Sequence, residues 1–196
     1  MRFWPRILGS ALAAFALCLV VATPSVAAGP SFPPLTGRVV DDAGILSDST
    51  IADVSSMLAQ QEQQTGVQVV VVTLKSLQGY PIEQYGYQLG RHWGIGQKGK
   101  NNGALLIIAQ AEHQARIEVG YGLEGQLTDA QSKVIIDEIL IPAFKRGDFN
   151  GGVHDATLAI LKTIGGANIT THQTTSPPPD DNDGSGIPVI LIIVVC

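Results

Sequence analysis

Apolar residues along this chain change their spacing from block to block, and each change of period marks an element. An extended lead-in, Pro30-Ser-Phe-Pro-Pro34, and the segment Gly37-Arg-Val-Val-Asp41-Asp42-Ala-Gly-Ile-Leu46 bring the chain to a stripe of Ile51, Val54, Met57 and Leu58 at helical spacing. Ser47 stands where an N-cap belongs and Thr65-Gly66 closes the stripe, so a first helix is expected between them. Val67-Gln-Val-Val-Val-Val-Thr73 is β-branched and nearly continuous in hydrophobicity, which predicts a strand covered on both faces by helices. Pro81 at a first helical turn opens a second helix carrying Ile82, Tyr85, Leu89 and Trp93, despite the cost of Gly86 and Gly90 within it.

The apolar run Ala104-Leu-Leu-Ile-Ile-Ala109, a short polar break and the alternating Arg116-Ile-Glu-Val119 read as a β-hairpin. Thr128-Asp-Ala-Gln131 has capping-box spacing and starts a third helix, with Val134, Ile135, Ile139 and Leu140 inward and Pro142 as its stop. A fourth helix follows the cap candidate Asn150, carries Val153, Ala156, Ile160, Leu161 and Ile164, and stops at Gly165-Gly166. The order α, β, α, β, β, α, α predicts an α/β fold, a three-layer α/β/α sandwich with a small mixed β-sheet.

Composition then places this body within the chain. The 196 residues, 45% hydrophobic and 15% charged, allow one globular domain with appendages. Arg2 and Arg6 precede the apolar run Ile7–Val21, and Val26-Ala27-Ala28 supplies small residues for cleavage, so residues 1–28 read as a secretory signal peptide of an exported protein. The domain occupies residues 29–166. Residues 167–186 turn to Thr, Pro, Asp, Asn and Gly, too poor in apolar area to fold, and read as a disordered linker. Residues 187–196 are wholly apolar but about half the ~20 needed to cross a bilayer, and read as the start of a truncated transmembrane helix.

Removing the signal takes two arginines from a balance of 12 basic against 17 acidic residues, leaving 10 against 17, a net −7 that argues against nucleic acid as a partner. Cys18 and Cys196 lie in the signal and at the last position, so the body has no thiol for a disulfide, a thiolate nucleophile or a zinc–sulfur site. Gly94-Ile-Gly-Gln-Lys-Gly99 fits a dinucleotide fingerprint only in spacing, because it follows a helix and precedes a strand. Asp180-Asp-Asn-Asp-Gly184 starts like a calcium loop but puts Leu191 where the bidentate Glu is required. His92, His113, His154 and His172 lie far apart with no Ser or Cys motif nearby, which leaves a nucleophilic triad without support.

What remains is a set of acids and amides around the hairpin. Closure of the hairpin brings Lys100-Asn-Asn-Gly103 beside Gly120-Tyr-Gly-Leu-Glu124, and oxygen donors among glycines suit a hard cation. Structural duties compete for the same residues. Asp129, in the first turn of a helix, is favoured there by the helix dipole. Asn101 and Asn102 suit a turn. Arg116 and Glu118, two apart on a strand, share a face as an ion pair. Glu124, flanked by glycine and a single apolar neighbour, is easier to read as a ligand.

The succession Asp41-Asp-Ala-Gly-Ile-Leu46, Thr65-Gly-Val-Gln-Val-Val-Val-Val-Thr73, His92-Trp-Gly-Ile-Gly-Gln-Lys-Gly-Lys-Asn-Asn-Gly103, Ile117-Glu-Val-Gly-Tyr-Gly-Leu-Glu124, Leu127-Thr-Asp129 and Pro142-Ala-Phe-Lys-Arg-Gly-Asp-Phe149 resembles the TPM domain family, over about residues 32–166. That family includes thylakoid-lumen proteins and exported bacterial proteins of the YgcG type. The resemblance implies an α/β/α sandwich outside a membrane, a divalent cation of the Ca²⁺ type, and either an accessory or assembly role for membrane or envelope protein complexes or acid phosphatase activity. Carried over by position, it implies a cation set of Asp41, Asn101, Asn102, Glu118, Glu124 and Asp129, with Asn101 where the family often has Asp. The expected site holds the ion between Asp41, Glu124 and Asp129, with carbonyl help from the Asn101–Asn102 turn.

Overall fold

The computed structural model describes residues 29–165. The signal peptide, linker and apolar tail expected from the sequence lie outside the described residues, as do Cys18, Cys196, His172 and the Asp180–Gly184 segment. No helix among the described residues is long and apolar enough to cross a membrane.

A single mixed sheet organises the domain. β1 (Val39–Asp41), β2 (Gln68–Leu74), β3 (Gly103–Ala109) and β4 (Gln114–Val119) lie side by side in chain order, the first three parallel and β4 antiparallel to β3. β1 is the element the sequence did not announce. Its three residues are too short for a periodic signal, and only pairing with Val71, Val72 and Thr73 makes it a strand. The unbroken apolar runs of β2 and β3 are explained by burial on both faces.

One face is covered by α2 (Ile82–Trp93), following α1 (Asp48–Thr65) in the chain. Tyr85 and Leu89 pack with Val70, Val72, Leu105 and Ile107 in that layer. The opposite layer comprises α1, α3 (Asp129–Ile135) and α5 (Phe149–Thr163), whose Leu58, Ile135 and Ile160 meet Val69, Val71, Leu106 and Ile117. The chain is therefore the expected three-layer α/β sandwich. Each fully buried Leu or Val contributes on the order of 1.5–3 kcal/mol, so the two continuous cores are its main support.

Caps and breaks refine the expectation. Ser47 caps α1, its hydroxyl accepting from Thr50 N at 3.2 Å, and Gly66 ends that helix with φ +72°. The capping box at Thr128 and Gln131 is formed. Pro142 does not stop the third helical segment, because a π-turn (Ile136–Leu140) re-registers the backbone and leads directly into α4 (Ile141–Lys145). Val134 faces solvent, while Ile135 and Leu140 are buried. Asp148, not Asn150, caps α5, accepting from Gly151 N at 2.8 Å; Asn150 Oδ1 instead accepts from Ser47 N and ties the two helix starts together.

Candidate functional site

The entrance to β3 and the exit from β4 cross so closely that side chains are excluded. A Cβ on Gly120 would lie 2.3 Å from Asn101 O, one on Gly122 2.1 Å from Lys100 O, and one on Gly103 2.7 Å from Ile95 O. The glycines are thus required by backbone meeting backbone. Gly120 N–H donates to Gly103 O at 2.8 Å and Gly122 N–H to Asn101 O at 3.1 Å, which stitches the crossing. Asn101 takes the left-handed conformation, φ +50°, that this turn demands.

Asn102 is the clasp of the crossing. Its Oδ1 accepts from Gln97 N at 2.8 Å, its Nδ2 donates to Gly66 O at 2.8 Å, and its carbonyl accepts from Gln68 N at 3.1 Å. It is 8% exposed, and both atoms of its amide are held by backbone groups. Leu123 and Leu127, both buried, pin the following turn and leave Glu124 and Asp129 in solvent on either side.

The crossing floors a cleft of about 610 Å³. Tyr87 and Arg91 line one wall from α2, Glu118, Tyr121 and Glu124 the other, with Lys98 and Asn101 in the loop between. Arg91 Nη1 donates to Tyr87 OH at 2.8 Å and its guanidinium lies 5.5 Å from that ring's centre. Tyr87 and Tyr121 are 54% and 80% exposed, large apolar areas left open beside charged groups. Glu118 accepts from Arg116 Nε at 2.8 Å, the ion pair its spacing suggested. The sequence reading missed Tyr87 and Arg91. Their i, i+4 spacing on the outer face of an amphipathic helix was the available signal.

The six residues expected to share one cation do not come together. Asp41 ends β1 beside Thr73, at the edge where parallel β2 finishes, whereas Asn101 precedes the start of β3 at the opposite edge. Asp41 is occupied there: its carboxylate accepts from the Thr73 hydroxyl, from Ile45 N at 3.2 Å and from Leu46 N at 3.0 Å. Asn101, Glu118 and Glu124 line the cleft, while Asp129 lines a separate groove with Ser132 and Lys133. Among the described residues no three His, Cys, Asp or Glu side chains are disposed to hold one ion. The expectation of a single rim is corrected by topology, because a parallel strand and its neighbour's entrance lie at opposite ends. As a set, the six residues do not fit one hard-cation site.

The edge holding Asp41 is closed by other contacts. Glu112 Oε1 accepts from Ser76 Oγ at 3.0 Å and Leu77 N at 2.8 Å, and Asp42 lies 3.7 Å from Lys75 Nζ. Tyr85 OH donates to Ser31 O at 3.1 Å, and burial, aided by the negative charge of Asp42, raises its pKa above the usual tyrosine value.

Comparison with known proteins agrees with this architecture. The N-terminal domain of a protein from P. gingivalis, solved by solution NMR, is 35% identical, with 67% of this chain and 83% of that one covered and a TM-score of 0.62. The N-terminal domain of the cg2496 protein of Corynebacterium glutamicum, 21% identical over 76% of this chain and 92% of that one, has a TM-score of 0.51. BA42 protein from the psychrophilic Bizionia argentinensis, 17% identical over 60% of this chain and 83% of that one, has a TM-score of 0.50; these last two share the fold. No curated protein matches this chain. The TPM domain model matches residues 39–163, the span from the first strand to the last helix, and with it the chain belongs to the TPM domain family.

Proposed function

We propose that this TPM domain is an exported binding module, held near the envelope membrane, whose cleft between α2 and the Glu118–Glu124 segment recognises an exposed group on a membrane or envelope protein complex. The signal-like residues 1–28 and the apolar residues 187–196 support export and membrane association. The observation that carries the reading is the cleft's composition: open tyrosines, Arg91, Lys98 and Glu124 stand around a rigid backbone floor. Such a surface recognises by stacking and charge, the pattern of a protein or glycan contact.

A divalent cation enters this reading in reduced form. Of the four acids in the expected set, Asp41 and Glu118 are engaged by other groups, which leaves Glu124 and Asp129; oxygen donors suit Ca²⁺, but two carboxylates on opposite sides of Leu127 make a weak site. A second reading, acid phosphatase, is favoured by Arg91 and Lys98, which place cations in the cleft beside Glu118 and Glu124.

One experiment separates the readings. Purified protein is assayed for p-nitrophenyl phosphate turnover with and without Ca²⁺ or Mg²⁺, alongside Glu124→Ala and Asp129→Ala, while a Ca²⁺ titration is followed by backbone-amide NMR. The binding module predicts background turnover in all three proteins and small shifts confined to residues 120–129. Metal-dependent turnover that disappears in Glu124→Ala would establish the enzyme instead.

A further inference from the structure

β4 is the longer of the sheet's two free edges, with six residues against three in β1. Gly120 N–H donates to Gly103 O, and hydrogen-bonded pairs alternate along an antiparallel ladder. In the observed register, Gln114, Arg116 and Glu118 therefore direct their backbone groups to β3, and Ala115, Ile117 and Val119 direct theirs outward. Among the described residues no strand pairs with that outer edge. Proteins blunt such an edge with prolines, bulges, charges or a covering element; β4 has no proline or bulge, and its charges, Arg116 and Glu118, lie on one face.

A groove of about 680 Å³ runs beside the edge, with Pro81–Glu83 at the start of α2 on one side and α3 with the π-turn on the other. The two walls differ in chemistry. On the α2 face, Arg116 lies 2.8 Å from Glu118 and 4.0 Å from Glu83, two carboxylates to one guanidinium. The opposite wall carries Ile117, Ile136 and Ile141, together with Ser132, which is 5% exposed and whose hydroxyl has no hydrogen-bond partner. Asp129 at the mouth adds a further negative charge.

We propose that the outer edge of β4 captures an extended segment of another protein by strand addition. The segment alternates basic residues, set toward Glu83 and Glu118, with apolar residues, set toward Ile117, Ile136 and Ile141. The backbone groups of Ala115, Ile117 and Val119 supply the ladder, and period-two alternation matches the two unlike walls. The surplus of acid selects Lys or Arg. A second copy of this chain suits the edge less well. At Gly86, a Cβ would come within 2.5 Å of Ile107, so α2 lies close over the sheet, and edge-to-edge pairing would set two α2 helices against each other. A lone strand brings no helix. The surface adjoins the cleft, whose lining includes Glu118 and Val119, but its ladder is read at the edge amides and does not depend on what the cleft binds.

The test uses a short capped peptide of alternating lysine and valine, a matching glutamate and valine peptide, and a lysine and valine peptide N-methylated on alternate amides. On binding the first, amides of Ala115, Ile117 and Val119 should gain protection from hydrogen exchange while those of Arg116 and Glu118 stay as they were. The N-methylated peptide should not bind, and the acidic peptide should bind about tenfold more weakly. Ala115→Pro, which removes an outward donor where an edge strand tolerates proline, should weaken binding several-fold, and the exposed Glu83→Lys, which leaves the core untouched, should abolish the preference for lysine. The proposal is overturned by equal binding of the acidic peptide or by no protection at about millimolar lysine and valine peptide. It is overturned equally if the three amides are already protected in the free protein by self-association or by its own chain ends.

Discussion

The two ends of the sheet each carry an acid near a glycine-containing turn, and they use it in opposite ways. At the edge where β1 and β2 finish, Asp41 is a clasp: two backbone N–H groups and the Thr73 hydroxyl saturate its carboxylate. At the other edge, where β3 begins and β4 ends, backbone crosses backbone, the crossing satisfies its own hydrogen bonds, and Glu124 is left in solvent beside the cleft. A glycine-containing turn near an acid therefore does not by itself announce a ligand. What decides is whether unpaired N–H groups lie within reach of the carboxylate.

The comparison can be broken at its most crowded point. Gly122→Ala puts a methyl against Lys100 O, a backbone atom that cannot swing aside, and should cost about 3 kcal/mol, read as a lower urea midpoint at unchanged slope. A midpoint equal to the parent's would show that the crossing yields. Asp41→Ala strands the donors of Ile45, Leu46 and Thr73, and about 2 kcal/mol should be lost.

The clasped edge should also show itself in alkali. Tyr85 has its pKa raised by burial and by Asp42, so the folded state keeps its proton after the unfolded chain has begun to release it. This contribution is complete below the unfolded value of about 10 and is lost as pH rises through the folded one. Urea midpoints measured from about pH 9 to 11 should fall, and fall less in Tyr85→Phe. The smallest effect sharpens the contrast: Glu124→Ala should change stability by less than about 0.5 kcal/mol, because no hydrogen bond or ion pair of the described structure is lost with it. A loss matching that of Asp41→Ala would erase the distinction between clasp and free acid.

Most of the elements were legible because their signals are local. Ser47, Gly66 and the Thr128 capping box act within one helical turn, and the β-branched run of β2 declares two-sided burial without reference to a partner. Local signals failed where a neighbour settled the outcome. β1 exists through its pairing with β2, Pro142 is accommodated by a π-turn that keeps Leu140 buried, and Asn150 is drawn away from its own helix by Ser47.

The candidate site divides along the same line. The sequence alone determined that Asn101, Glu118 and Glu124 come together, because a hairpin's closure pairs its entrance with its exit at short range. It determined the α/β sandwich as well, since period and cap signals are written residue by residue. Only the tertiary structure decided that Asp41 stands at the far edge, that Asp129 faces another groove and that Tyr87 and Arg91 wall the cleft. Those placements depend on strand direction and helix docking, long-range choices in which a residue's position is set by partners distant in the chain.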